Sequence, residues 1–375
     1  MTPLTWIEVS QSALLHNAKQ FRKVLKQTKL MAVVKSNAYG HGSFAVSETL
    51  ESSVDWFGTA NGTEALALRT SGIKKPILVL NYYDLVQVES LVARNVALVV
   101  YDLSQARAIS KAAKKLKKKA KIHVKVGTGL SRLGIYARDA ISFIKKVGRL
   151  PNIEIKGLFS HFASSEDDPT FTELQLGHFR NIIEDLENNL IFIPLKHIAC
   201  TSSALAFPES RYDLARIGIG IYGLESYKSI HSLVTKINPG FNLRRVLTWK
   251  TKILAVKDLP AGAYVGYGRS YRTPRKTKLA TLPVGYNEGY DRKLSNLGEV
   301  LVGGKRCKIR GRVYMNLLSV DVTDVKNIKA GDEAVLIGKQ GKEEIFVDEL
   351  ANVVGTISYE IVTRINPTIP RVLVK

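Results

Sequence analysis

The sequence predicts an α/β protein: a (β/α)8 barrel of the TIM type followed by a mostly β C-terminal domain. Three observations carry that expectation. Short apolar, β-branched runs recur eight times in the first 225 or so residues. Helix-like amphipathic stretches separate them. After a Pro-Gly punctuation at 239–240 the pattern changes to alternating strands.

The eight runs are MAVV at 31–34, DWFGT at 55–59, ILVL at 77–80, ALVVY at 97–101, IHVKV at 122–126, IKGLFS at 155–160, LKHIAC at 195–200 and ARIGIGIYG at 215–223. Unbroken apolar runs are what strands covered on both faces look like. Between them lie segments such as SFAVSETLESS, GTEALALRTSG and HFRNIIEDLENNL, with apolar residues at helical spacing. Eight such units favour a closed barrel, and an open doubly wound sheet is compatible with the same pattern. Beyond residue 240 come TWKTKILAV at 248–256 and EVLVGGKRCKIRG at 299–311, the latter with a Gly303-Gly304 hairpin signal. One helical stretch, VDELANVVG at 347–355, and little else interrupts the strands. The expected domains are therefore 1–240 and 241–375.

Composition narrows the class. Of 375 residues 45% are hydrophobic, which excludes a wholly disordered basic protein. Two cysteines exclude a disulfide scaffold, and no Cys, His and carboxylate set has the spacing of a metal site. The net charge of +22 raises the question of nucleic acid. Its densest run, Lys111, Lys114, Lys115, Lys117, Lys118, Lys119 and Lys121, has neither the arginines nor the aromatics of a nucleic-acid surface and reads as a solvated helix face. The N-terminus lacks the layout of a signal peptide, and no apolar run is long enough to span a bilayer, so a soluble cytoplasmic protein is expected.

Barrels of this kind gather reactive groups at the C-terminal ends of their strands. Reading off those ends gives Lys35, Lys125, His161, then Thr201, Ser202 and Ser203, and finally Arg216 and Gly218. A lysine closing an apolar strand must be solvated, paired or chemically used. The loops after the seventh and eighth strands often hold phosphate, and hydroxyls with a glycine stand there. A lysine able to form a Schiff base beside a phosphate cradle points to pyridoxal phosphate (PLP).

These residues lie in blocks that are recognisable. KSNAYGHG at 35–42 resembles the PLP-lysine motif of the alanine racemase family, and KVGTGLSRLG at 125–134, SHFASSED at 160–167 and ARIGIGIYGL at 215–224 look like further blocks of it. So do VGYGRSY at 265–271, PVGYNEGY at 283–290, GRVYMN at 311–316 and SYEIVTRINPTIPR at 358–371, all in the family's order and across both domains.

The resemblance implies a homodimeric enzyme that interconverts L- and D-alanine, supplying D-alanine for peptidoglycan. Lys35 would hold PLP and exchange the α-proton on one face, and Tyr267 of the partner chain would serve the other. Inversion needs an acid/base group on each side of a planar carbon. Tyr39, Thr201, Gly218, Ile219 and Tyr359 would hold the phosphate, Arg216 would face the pyridine nitrogen, and His161 would link Arg216 towards Tyr267. Arg132 and the backbone N–H of Met315 would take the substrate carboxylate, with Tyr286 near the entrance. Lys125 matches a lysine that is carbamylated in many members.

Five positions depart from the family's pattern: Asn37, Gly127 and Asn316 stand where aspartates are usual, and Cys200-Thr201 where Asn-Ser is. They leave open a broad-specificity or serine racemase. Cys200 reads as a small apolar filler rather than a redox group. A decarboxylase of the same barrel type would need a Cys-Glu pair that the sequence lacks. A basic nucleic-acid-binding protein with a vestigial site is the remaining alternative.

Overall fold

The computed structural model describes residues 3–225, 229 and 231–375. The chain divides into two compact units, one formed by residues 12–38 and 43–244, the other by 1–11, 39–42 and 245–375.

The larger unit is a parallel β/α barrel. Its strands are Lys29–Val33, Trp56–Asn61, Ile77–Tyr82, Ala97–Val100, Ala120–Gly127, Ile153–Phe159, Leu195–His197 and Leu214–Ile217, each within one of the eight apolar stretches of the sequence or overlapping it. They pair in chain order, and the eighth returns to the first with Arg216 opposite Met31. Asp213 N–H donating to Lys196 O at 3.1 Å and Arg216 N–H to Ala199 O at 3.0 Å join the seventh and eighth segments, which decides for a barrel over an open sheet. Leu30, Met31, Ala32, Leu98, Val99 and Val100 are fully buried, as strands covered on both faces require.

The helices follow their sequence signals. Asp102 caps Leu103–Lys115 by accepting from Ser104 N–H, and Asp168 with Pro169 opens the long helix Pro169–Asn188. In Leu103–Lys115 the buried positions are Ala106, Ile109, Ser110 and Ala113, so Lys111, Lys114 and Lys115 face solvent, Lys115 paired with Glu89 at 2.8 Å. Helical periodicity thus places these three lysines of the run on the outer surface.

The smaller unit is mostly β. Its main sheet runs in the order Lys305–Lys308, Glu299–Val302, Glu333–Gln340, Leu247–Lys252, Thr5–Ser10 and Arg371–Val374. Gly303 and Gly304, at φ of 58° and 75°, make the hairpin turn between the first two. TWKTKILAV is not one strand: it breaks at Ile253, and Ala255–Leu259 joins a separate sheet with Thr277–Leu282 and Leu318–Asp321. Thr5–Ser10, from the far end of the chain, pairs antiparallel with Leu247–Lys252 and parallel with Arg371–Val374. Besides Val347–Val354, a second helix, Ser358–Thr363, is present that the sequence did not announce.

Candidate active site

Lys35 follows the first barrel strand, and the chain beyond it takes a left-handed turn: Ser36, Asn37, Ala38 and Tyr39 all have φ of 53–54°. Each such residue costs about 1–2 kcal/mol, so the turn is held from outside. Within the barrel unit, Glu64 accepts from Ser36 N–H at 2.7 Å and from Ala60 N–H at 2.7 Å, and Asn37 Oδ1 accepts from Ser43 N–H at 3.0 Å. The Asn37 amide thus caps the helix that begins at Ser43. Burial lowers the Lys35 amine below its ordinary pKa, Arg132 lowers it further, and Glu64 partly offsets both.

Arg216 is the most heavily bonded of the site's side chains. Nη1 donates to His197 Nδ1 at 2.8 Å and His197 O at 3.0 Å; Nη2 donates to Ser160 O at 2.7 Å, Ile198 O at 2.9 Å and His161 Nδ1 at 3.2 Å. Both terminal nitrogens are spent on the barrel, and Nε has no hydrogen-bond partner among the described residues. Burial brings the guanidinium down to about 10, so it is still a cation at neutral pH. His161 is held well below its ordinary pKa, by desolvation first and then by Arg216, Arg132, Lys125 and Lys35. A neutral His161 that accepts at Nδ1 carries its proton on Nε2.

Lys125 is buried at the end of the fifth strand, its ammonium 5.3 Å from the Phe159 ring centre, on whose ring Arg216 also lies at 5.4 Å. Burial, followed by repulsion from Arg216, Arg132 and Lys35, brings its amine down to about 7. Arg132 itself is exposed on the loop after this strand. Thr201 is buried after the seventh strand, and its hydroxyl accepts from Gly218 N–H at 3.2 Å and Gly220 N–H at 3.5 Å. Gly220 has no room for a side chain, since a Cβ there would lie 2.7 Å from Phe21 and from Thr201 Cγ2. Ile219 is buried between these two glycines. Cys200 differs from the filler expected of it: it is half-buried among hydroxyls, with Ser165 and Ser202 Oγ each 3.3 Å from its sulfur.

The barrel unit thus brings together Lys35, Lys125, Arg132, His161 and Arg216 as an interacting charge cluster, with Thr201, Gly218 and Ile219 forming a second group. His197 and His123 belong with Arg216 and were not singled out from the sequence; the signal was a histidine inside each of two apolar strands. Glu64 was also missed, although the Asn61–Glu64 cap that fixes it is a sequence pattern.

The remaining candidates lie in the smaller unit. Tyr39 and Tyr359 approach each other with ring centres 6.0 Å apart. Tyr267 sits on a tight turn between Gly266 and Gly268, at φ of 79° and 71°, and is 75% exposed. It lines a cavity of about 810 Å³ with Tyr286, Arg312, Tyr314, Met315 and Asn316. The Tyr267 ring meets that of Tyr314 edge-on at 5.4 Å.

The donor set suits a PLP-type cofactor. Lys35, half-buried and with a lowered pKa, can serve as a nucleophile, Thr201 with the Gly218 and Ile219 backbone suits a phosphate, and Arg216 Nε is a spare donor for a ring nitrogen.

Comparison with known proteins bears on both units. The family model for the alanine racemase N-terminal domain matches residues 9–226, and that for the alanine racemase C-terminal domain matches residues 246–373. Alanine racemase of Methanococcus maripaludis is 39% identical over 371 residues, covering 98% of each chain. Alanine racemase 1 of Caldanaerobacter subterraneus is 40% identical over 372 residues, 98% of this chain and 94% of its own. Among solved structures, alanine racemase of Clostridium difficile superposes with a TM-score of 0.93 at 29% identity, covering 100% of this chain and 96% of that one. The Bacillus anthracis alanine racemase with bound L-Ala-P gives 0.92 at 30% identity, with the same coverage.

Proposed function

Because the chain belongs to the alanine racemase family, we propose that it interconverts L- and D-alanine with PLP, using Lys35 and Tyr267 as the two proton-transferring groups. The observation that carries this reading is Arg216, held by five hydrogen bonds through its terminal nitrogens with Nε left over, in the same charge cluster as a lysine of lowered pKa.

When bound, the cofactor supplies an electron sink that acidifies the α-proton of an amino acid. Lys35 would hold it, and Thr201, Gly218, Ile219, Tyr39 and Tyr359 would bind its phosphate. Arg216 would donate from Nε to the ring nitrogen. A guanidinium near 10 keeps its proton at neutral pH, so Arg216 holds that nitrogen without protonating it, which favours proton return over transamination. The lowered Lys35 pKa leaves a larger share of amine able to take a proton at Nζ. Tyr267 would give and take the proton on the opposite face, and His161 would connect Arg216 towards it. Arg132 and the Met315 N–H would receive the substrate carboxylate, with Tyr286 at the entrance.

Lys125 at about 7 is in part a free amine at neutral pH. Its nitrogen would attack carbon dioxide and release a proton, giving a carbamate. That exchange replaces a cation beside Arg132 by an anion that attracts it.

The enzyme would be a homodimer in which each chain's Tyr267 serves its partner. Exposed Tyr264, Tyr267, Tyr286, Met315 and Leu317 support this, since a smaller unit with so many exposed apolar groups has a face to cover. Among the described residues no helix is long and apolar enough to cross a membrane. A cytoplasmic role in supplying D-alanine for peptidoglycan completes the proposal. The hydroxyl cluster around Cys200 favours one second reading, a racemase that also accepts serine. Assaying D-amino-acid formation from L-Ala, L-Ser and L-Lys, with and without added PLP, tests reaction, substrate and cofactor together.

A further inference from the structure

The segment carrying Tyr286 and the segment carrying Met315 touch through bare backbone. Tyr286 N–H donates to Tyr314 O at 3.0 Å and Asn287 N–H to Met315 O at 2.8 Å. A Cβ on Gly285 would lie 2.2 Å from Tyr314 O, so the two chains approach as closely as glycine allows. Met315 itself is 56% exposed and gains little anchorage from packing. Polar contacts hold it instead, and they converge on one carboxylate. Glu288 Oε2 accepts from Gly285 N–H at 2.8 Å; Oε1 accepts from Asn316 Nδ2 at 2.8 Å and from Asn287 Nδ2 at 3.2 Å. The Glu288 carbonyl accepts from Asn366 N–H at 3.1 Å, tying the clamp to a third segment.

We propose that Glu288 and Asn316 are positioning residues for the substrate carboxylate, clamping the Tyr286 segment to the Met315 segment through an acid–amide hydrogen bond. This rests on the racemase reading above, in which the Met315 N–H takes that carboxylate. It also gives a reason for the amide at 316. An aspartate there would turn a carboxylate oxygen towards Glu288 at the present 2.8 Å, and two ionised carboxylates at that distance repel.

The surrounding charges do not take over the role. Arg364 is paired with Asp291 at 3.0 Å and Glu360 at 2.9 Å, and Arg371 donates to the carbonyls of Asn366 at 2.7 Å and Ile369 at 2.6 Å. Arg292 and Arg312, with the phenols of Tyr286 and Tyr267, face the same cavity as Asn316.

The test is a polarity swap in the purified full-length protein, read as KM and kcat for L-alanine from roughly pH 6 to 9, together with Tm. Asn316→Asp is expected to raise KM about tenfold at the alkaline end, with kcat within about twofold of the parent. The rise should fade towards acid pH, where a shared proton replaces the lost amide hydrogen. In the double variant Glu288→Gln with Asn316→Asp, the amide and acid exchange sides, and the exposed Asn287 amide turns over to present its oxygen. Its KM should return to within about twofold of the parent across the range, because donor and acceptor again match.

An Asn316→Asp enzyme with the parent's KM at every pH would overturn the proposal. So would a lowered Tm with unmoved KM, which marks a merely structural contact, or a double variant that recovers nothing. A parent that does not racemise alanine would refute the functional reading itself, whereas an active parent with an unmoved KM refutes the clamp alone.

Discussion

His123 Nδ1 lies 2.8 Å from His197 Nε2 in the barrel interior, and the far nitrogen of His197 accepts from Arg216. The chain of bonds fixes both tautomers. A guanidinium only donates, so His197 must accept at Nδ1 and carry its proton on Nε2, which it gives to His123 Nδ1. His123 then keeps a proton on Nε2, and that buried atom has no hydrogen-bond partner among the described residues. Two neutral histidines thus form a support behind Arg216.

His197→Leu removes the acceptor and leaves part of a buried cation unsatisfied. An unpaired buried donor of this kind costs roughly 1–3 kcal/mol. Denaturant titration should show a loss in that range, and PLP titration should show affinity weakened by on the order of tenfold as Arg216 loses its alignment.

The same pair sets an acid limit. Burial, and secondarily Arg216, brings His123 down to about 3 from an unfolded value of 6.5, and His197 also falls well below that value. The folded state therefore binds fewer protons than the unfolded chain across this window. The stability is fully present above 6.5 and is lost as pH falls towards 3, by up to ~1.4 kcal/mol per pH unit for each histidine. Urea unfolding at pH 7 and at pH 5 should show a smaller loss for His123→Gln than for the parent. Equal losses would mean that His123 titrates normally.

Gly157, paired with His123 on the adjacent strand, leaves the space for that ring: a Cβ at 157 would lie 2.1 Å from His123 Nδ1. Gly157→Ala should cost roughly 1–3 kcal/mol, as overpacking does in a filled core. It should also weaken PLP binding as His197→Leu does, since the displaced ring carries His197 with it. Tm and a PLP titration check both.

These relationships show what the sequence could and could not convey. The barrel strands were legible because burial on both faces demands unbroken apolar runs such as ILVL and ALVVY. Lys35, Lys125, His161 and Arg216 were legible because strand ends are where such barrels place polar groups. The His123–His197–Arg216 chain was not, because it depends on the register of three strands across the barrel interior. Thr5–Ser10 pairs with partners between 238 and 364 residues away, a relation no local pattern records. Ser358–Thr363 has six residues, fewer than two turns, too few to show a helical period.

Lys125 yields a prediction with a definite sign. An amine at about 7 is free above that pH and protonated below it, and only the free amine reacts with carbon dioxide. Carbamate formed from 13C-labelled bicarbonate should give a carbon NMR signal that grows as pH rises through about 7 and is missing in Lys125→Arg. An identical signal in the variant would place the modification elsewhere.

The central claim is that Lys35 and Tyr267 exchange protons on opposite faces of a PLP-bound amino acid. Its most direct measurement is D-alanine formation from L-alanine by the parent, Lys35→Ala and Tyr267→Phe proteins, each supplied with PLP. The account predicts PLP-dependent activity in the parent and a loss of at least about a hundredfold in each variant, the size of effect expected on removing a general acid or base. A Lys35→Ala protein that racemises alanine at the parent's rate would contradict it.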